Sequence, residues 1–221
     1  MNTNRRKFIR AMVLGVLVTA AAGFVHADSG KSPGKPNLLF ICVDDLRPQL
    51  GCYGERWMKT PNIDRLSASG VTFNKHYVQV ATCGASRHAL LRGLRPCCAS
   101  DYNNKPFGAH HKDITTSKTE SLFHLFQQNG YHTTAIGKIS HNRLDSSKEL
   151  PRSWSEMKTT IPGRKFPSRQ VAPRKGRYLP FENADVDDCG YEDGVLAETA
   201  VATLRTLKTK GTPFALAVGF L

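Results

Sequence analysis

Asn37-Leu38-Leu39-Phe40-Ile41-Cys42-Val43 is an unbroken apolar run that stops at Asp44-Asp45. Such a run predicts a strand buried on both faces of a parallel sheet. Phe214-Ala215-Leu216-Ala217-Val218-Gly219-Phe220-Leu221 repeats the pattern, and Thr133-Thr134-Ala135-Ile136-Gly137 is a shorter example. Residues 71–78 alternate apolar and polar, which predicts a further strand. Helical periodicity falls between these runs. Thr60-Pro61-Asn62-Ile63-Asp64 carries a cap, a proline and an early acid, and Gly70 follows as a stop. Arg87 to Leu94, Thr119 to Asn129 and Asp193 to Leu207 read as further helices, the last with Leu196, Ala200, Leu204 and Leu207 on one face.

This order predicts an α/β fold, a mostly parallel sheet flanked by helices. In open sheets of that kind ligands bind beyond the carboxyl ends of the strands, where Asp44 and Asp45 emerge. Residues 145 to 188 are rich in Pro, Ser, Arg and Lys without periodicity, and read as a long decorated loop.

The chain start has another character. Arg5-Arg6-Lys7 precedes an apolar stretch from Ala11 to Phe24, and Val25-His26-Ala27 offers a small-x-small cleavage site. Residues 1–27 therefore read as a twin-arginine-like signal peptide, 28–36 as a flexible lead-in and 37–221 as the folded part. The expected partner is the export machinery, and the expected location periplasmic or extracellular.

Of 31 Lys/Arg, four lie in the signal, so 18 Asp/Glu leave the remainder at a formal +9. A basic surface steers anionic partners. No basic-plus-aromatic repeat marks a nucleic-acid module, and none is expected as a partner. The six cysteines form no CxxC pair, which excludes a zinc-ribbon pattern. Cys52, Cys97, Cys98 and Cys189 remain candidates for disulfides of open connectivity.

Cys83-Gly84-Ala85-Ser86-Arg87, running on to Gly93, resembles the signature of the sulfatase family. Val43-Asp44-Asp45-Leu46-Arg47, Gly51-Cys52-Tyr53-Gly54, Thr60 to Leu66 and Gly137-Lys138-Ile139-Ser140-His141 resemble further segments of that family, in its iduronate 2-sulfatase-like bacterial branch. The resemblance implies an alkaline-phosphatase-like fold, here truncated before the C-terminal strands and smaller subdomain. It also implies a sulfuric ester hydrolase acting on sulfated carbohydrate.

Cys83 would be oxidised to formylglycine by a formylglycine-generating enzyme, and a hydroxyl of its hydrate would attack sulfur. Asp44, Asp45 and residue 83 would bind Ca2+, with Mg2+ possible, because adjacent carboxylates suit a hard cation. Arg87, Lys138 and His141 would complete the catalytic set: Arg87 holding the hydroxyl, Lys138 touching sulfate and His141 assisting elimination.

Ala85 replaces the commoner Pro, and Arg92 stands where the family has Thr. A second metal-ligand pair and a Lys-Pro-His segment have no counterpart in the sequence, so metal affinity should fall, and the strand ending at Leu221 should expose an apolar edge. The competing reading of the same residues is an inactive relative or a sulfated-glycan-binding fragment. Asp185, Asp187, Asp188 and Asp193 do not follow calcium-loop spacing, and His110-His111 has no partner at ligand spacing.

Overall fold

The computed structural model describes residues 34–109, 120–141, 149–158 and 184–221. Residues 37–221 form one compact unit.

Four parallel strands lie in the order β1-β4-β2-β3: β1 (Leu38–Val43), β2 (His132–Gly137), β3 (Glu156–Lys158) and β4 (Phe214–Phe220). Leu38 pairs with Ala215 and Thr134 with Leu216, so β4 is central and hydrogen-bonded on both sides. The expectation that the last strand exposes an apolar edge is therefore corrected. β1 and β3 are the edges. In β1 the residues Leu39, Ile41 and Val43 are 44%, 54% and 41% exposed, so this strand is buried on one face only. Its other face, Leu38, Phe40 and Cys42, packs into the core.

Alternation along the strands sorts two apolar layers. Ala215, Ala217 and Ala135 point to α2 (Cys83–Arg92), α3 (Pro106–Ala109) and α4 (Leu122–Gln128), whose Leu91, Phe107 and Phe123 meet them. Phe214, Leu216, Val218 and Ile136 point the other way, onto Leu196, Ala200 and Leu207 of α5 (Glu192–Thr209). Small side chains on one face of β4 and large ones on the other follow from the distances at which each layer packs.

α1 (Pro61–Ser69) begins and ends at Thr60 and Gly70 as the sequence predicts, but it buries no residue. Its first turn is tied to the 3-10 turn Gly51–Tyr53. Asp64 accepts the Cys52 amide at 2.8 Å, and the Thr60 hydroxyl accepts the Gly51 amide at 2.9 Å. Residues 71–78 form no strand. Val71 is 80% exposed and Tyr77 78%, and this segment bonds locally, as where Phe73 accepts from the Tyr53 hydroxyl at 3.2 Å. Alternation alone does not make a strand where no sheet edge is within reach of the backbone.

Within the long loop expected at 145–188, Glu156–Lys158 pairs with Thr134–Ile136 as β3. Residues 145–148 and 159–183 of that loop, the signal peptide expected at 1–27 and His110-His111 lie outside the described residues. Among the described residues no helix is long and apolar enough to cross a membrane.

Candidate active site

The chemistry gathers where β1 and β2 end and α2 begins. Cys83 is the first residue of α2, which starts one turn before Arg87, where the sequence pattern places the helix start. Arg87 follows one turn later, and i, i+4 spacing keeps it on the same side of the helix.

The Arg87 guanidinium is buried and joins three segments. Nη1 donates to the carbonyls of Lys138 (2.5 Å) and Ile139 (3.0 Å) and to Cys42 Sγ (3.3 Å). Nη2 donates to Asp44 Oδ1 at 3.1 Å. The ammonium of Lys138 donates to Asp44 Oδ2. Burial alone would raise the Asp44 carboxyl, but hydrogen bonds and charge from Lys138 and Arg87 outweigh it and hold the pKa below its ordinary value. The Cys42 thiol is pushed up by burial, with Arg87 opposing.

Lys138 reaches Asp44 because β2 and β4 meet tightly at their ends. Gly137 has φ +74°, a left-handed conformation that only glycine adopts easily, and the Lys138 amide donates to the Gly219 carbonyl at 2.9 Å.

Cys83 Sγ has a neighbour on each of two sides. His141 Nδ1 is 3.5 Å away and Asn104 Oδ1 3.4 Å. The structure thus brings Cys83 together with His141, and Arg87 with Asp44 and Lys138. Asp45 is exposed, with a backbone φ of +53°.

Asp44, Asp45 and Cys83 offer a donor set that suits a hard divalent cation in chemistry. Their ligand atoms are not drawn together, however. Among the described residues, three such atoms lie within 4.8 Å of one another only at Cys97, Cys98 and Asp101. There Asp101 accepts the amides of Cys97 (2.8 Å) and Cys98 (3.2 Å), which makes it a turn cap. None of the six cysteines forms a disulfide, the four candidates included.

Other readings settle simply. Asp193 accepts the Leu221 amide at 3.1 Å, a bond that secures the end of β4. Arg92 lies 5.4 Å over the Phe107 ring and donates to the Glu149 carbonyl at 3.1 Å, at the far end of α2 from Cys83. Asn104 and Cys42 are the two site neighbours that sequence reasoning missed. An asparagine in a polar loop and a thiol in an apolar strand carry no local signal of either role.

The Sulfatase family profile matches residues 36–221. The chain belongs to the sulfatase family. It is 34% identical over 193 residues to iduronate 2-sulfatase of Mus musculus, covering 83% of this chain and 34% of that protein. To iduronate 2-sulfatase of Homo sapiens it is 33% identical over 227 residues, covering 99% and 40%. An N-acetylgalactosamine-6-O-sulfatase of Bacteroides thetaiotaomicron is 33% identical over 123 residues, 55% of this chain and 24% of that one. This sulfatase chain therefore spans well under half the length of these relatives.

Two solved structures share the fold. One, in complex with its substrate D-glucosamine-2-N,6-O-disulfate, has TM-score 0.53 at 22% identity over 84% of this chain and 34% of its own. The other, Ps i-CgsB in complex with k-i-k-neocarrahexaose, has TM-score 0.54 at 24% identity over 84% and 45%. The sheet and its flanking helices are thus those of the alkaline-phosphatase-like sulfatases.

Proposed function

We propose that this chain carries the nucleophile side of a sulfuric ester hydrolase that acts on sulfated carbohydrate, with iduronate 2-sulfatase-like activity as its specific form. The observation that carries the reading is Cys83 at the start of α2, 3.5 Å from His141 Nδ1 and one turn from Arg87. The names of the relatives and the sulfated sugar in one fold neighbour support the substrate class.

Formylglycine at position 83, made by a formylglycine-generating enzyme, would supply a nucleophilic hydroxyl and a second hydroxyl for releasing sulfate. Ca2+ or Mg2+ held by Asp44, Asp45 and residue 83 would lower the pKa of that nucleophile. The chain's own residues do the rest. Arg87 fixes Asp44 at the strand end and keeps positive charge behind the site. Lys138, already turned toward the same carboxylate, offers its ammonium to sulfate oxygens as they gain charge. His141 Nδ1 can hold or take a proton from the side chain at 83.

Residues 1–27, as a twin-arginine-like signal, would route the enzyme to the periplasm or beyond. Its sulfated glycan would meet it there, steered by the basic surface.

The test is peptide mass spectrometry at position 83 after co-expression with a formylglycine-generating enzyme. The expected mass loss is that of replacing CH2SH by CHO, and Cys83→Ala should end sulfate release. An unmodified thiol in an enzyme that still releases sulfate would refute the reading.

A further inference from the structure

Thr82 occupies the capping position of α2, yet its side chain makes no hydrogen bond to the helix. The first-turn amide of Gly84 donates instead to Asn104 Oδ1 at 3.0 Å, a residue twenty positions further on. The same oxygen lies 3.4 Å from Cys83 Sγ. The contact is tight in the backbone too: a Cβ on Gly84 would sit 2.7 Å from Asn104 Cα. Glycine at position 84 is what lets the loop before α3 reach the helix start.

An amide oxygen accepts and cannot donate, and the Gly84 N–H fixes which end of the Asn104 side chain faces the helix. One lone pair therefore satisfies the helix and another is turned to the side chain at 83. We propose that Asn104 is a positioning residue for the nucleophile: it caps α2 from outside the helix and accepts a hydrogen bond from residue 83. The proposal rests on the sulfatase reading.

In the precursor the donor is the Cys83 thiol. After maturation it is one hydroxyl of the aldehyde hydrate, formed by adding water across C=O with no change of oxidation state. The free aldehyde has no hydrogen to donate. An acceptor held here therefore favours the hydrate and engages one of its hydroxyls, leaving the other for attack.

The matured chain, with Asn104→Ala and Asn104→Asp beside wild type, tests this with two readouts that need no turnover. The first is hydrogen exchange at the Gly84 amide, and the second is the rate of oxime formation at residue 83 with an aminooxy probe, which reacts with the aldehyde. Asn104→Ala should speed Gly84 exchange and raise the oxime rate about fivefold, the size of one net hydrogen bond. Asn104→Asp, a stronger acceptor of the same shape, should keep Gly84 protected and label no faster than wild type.

Faster exchange with an unchanged oxime rate would reduce Asn104 to a helix cap and overturn the proposal. If Asn104→Ala fails to fold, an Asn104→Asp chain that labels faster than wild type would overturn it as well. Wild type that takes no label at position 83 would instead sink the sulfatase reading itself.

Discussion

Gly137 and Gly219 face each other across β2 and β4 so closely that neither has room for a Cβ. A methyl on Gly137 would fall on the Gly219 carbonyl and on Leu196, and one on Gly219 would fall on the Lys138 carbonyl. This approach lets the Lys138 amide join Gly219 while its ammonium turns to Asp44.

Gly219→Ala should therefore destabilise the fold by about 3 kcal/mol or more, since the clash is with backbone that cannot repack. Gly137→Ala should cost at least as much, because it adds an unfavourable φ of +74° to the clash. Urea denaturation of both variants measures this. A loss below about 1 kcal/mol would mean that the strand ends part easily.

Arg87→Lys tests the clamp. A single ammonium cannot serve two carbonyls, a thiol and a carboxylate that the planar guanidinium reaches together. The expected cost is about 2–4 kcal/mol, because buried acceptors lose their donor. Asp44→Asn in the same background should add little, since Arg87 and Asp44 act as one unit. A double-mutant cycle by denaturation decides it, and full additivity would show that the two residues are independent.

The sequence made the site's termini readable because each ends an element with its own period. The apolar run ending at Asp44, the helix pattern around Arg87 and the short strand before Lys138 all recur in the structure. Pairing was not readable. That β4 lies between β1 and β2 follows from long-range hydrogen bonds, so an edge predicted at Leu221 appears at β1 instead. The alternation at 71–78 misled because period alone does not supply a neighbouring strand. Asn104 could not be foreseen, because its role exists only once the loop before α3 folds back on Gly84.

The exposed row Leu39, Ile41 and Val43 lies on an edge strand, a surface prone to association between chains. Ile41→Lys should lower self-association of this chain, read by light scattering across concentration. It should shift the denaturation midpoint little, because Ile41 is already 54% exposed. Unchanged scattering would place the sticky surface elsewhere, for example at the exposed Val71, Phe73 and Tyr77.

His124 gives the fold a pH dependence of defined sign. It is buried at the start of α4, where Ser121 accepts its amide at 3.1 Å and its Nδ1 accepts the Glu120 amide at 3.0 Å. Burial first, and then the charge of Arg152, lower its pKa, with Glu120 opposing. A depressed histidine favours the neutral form in the folded state. Its contribution is whole above the unfolded pKa of about 6.5 and declines as the unfolded chain takes up a proton below it. The decline ends once the folded histidine is protonated as well. His124→Asn keeps an acceptor for the Glu120 amide but removes the titration. The difference in stability between wild type and His124→Asn should therefore shift against wild type between pH 7.5 and 5.5, measured by urea denaturation. A difference that stays constant over this range would show that His124 titrates alike in the folded and unfolded chain.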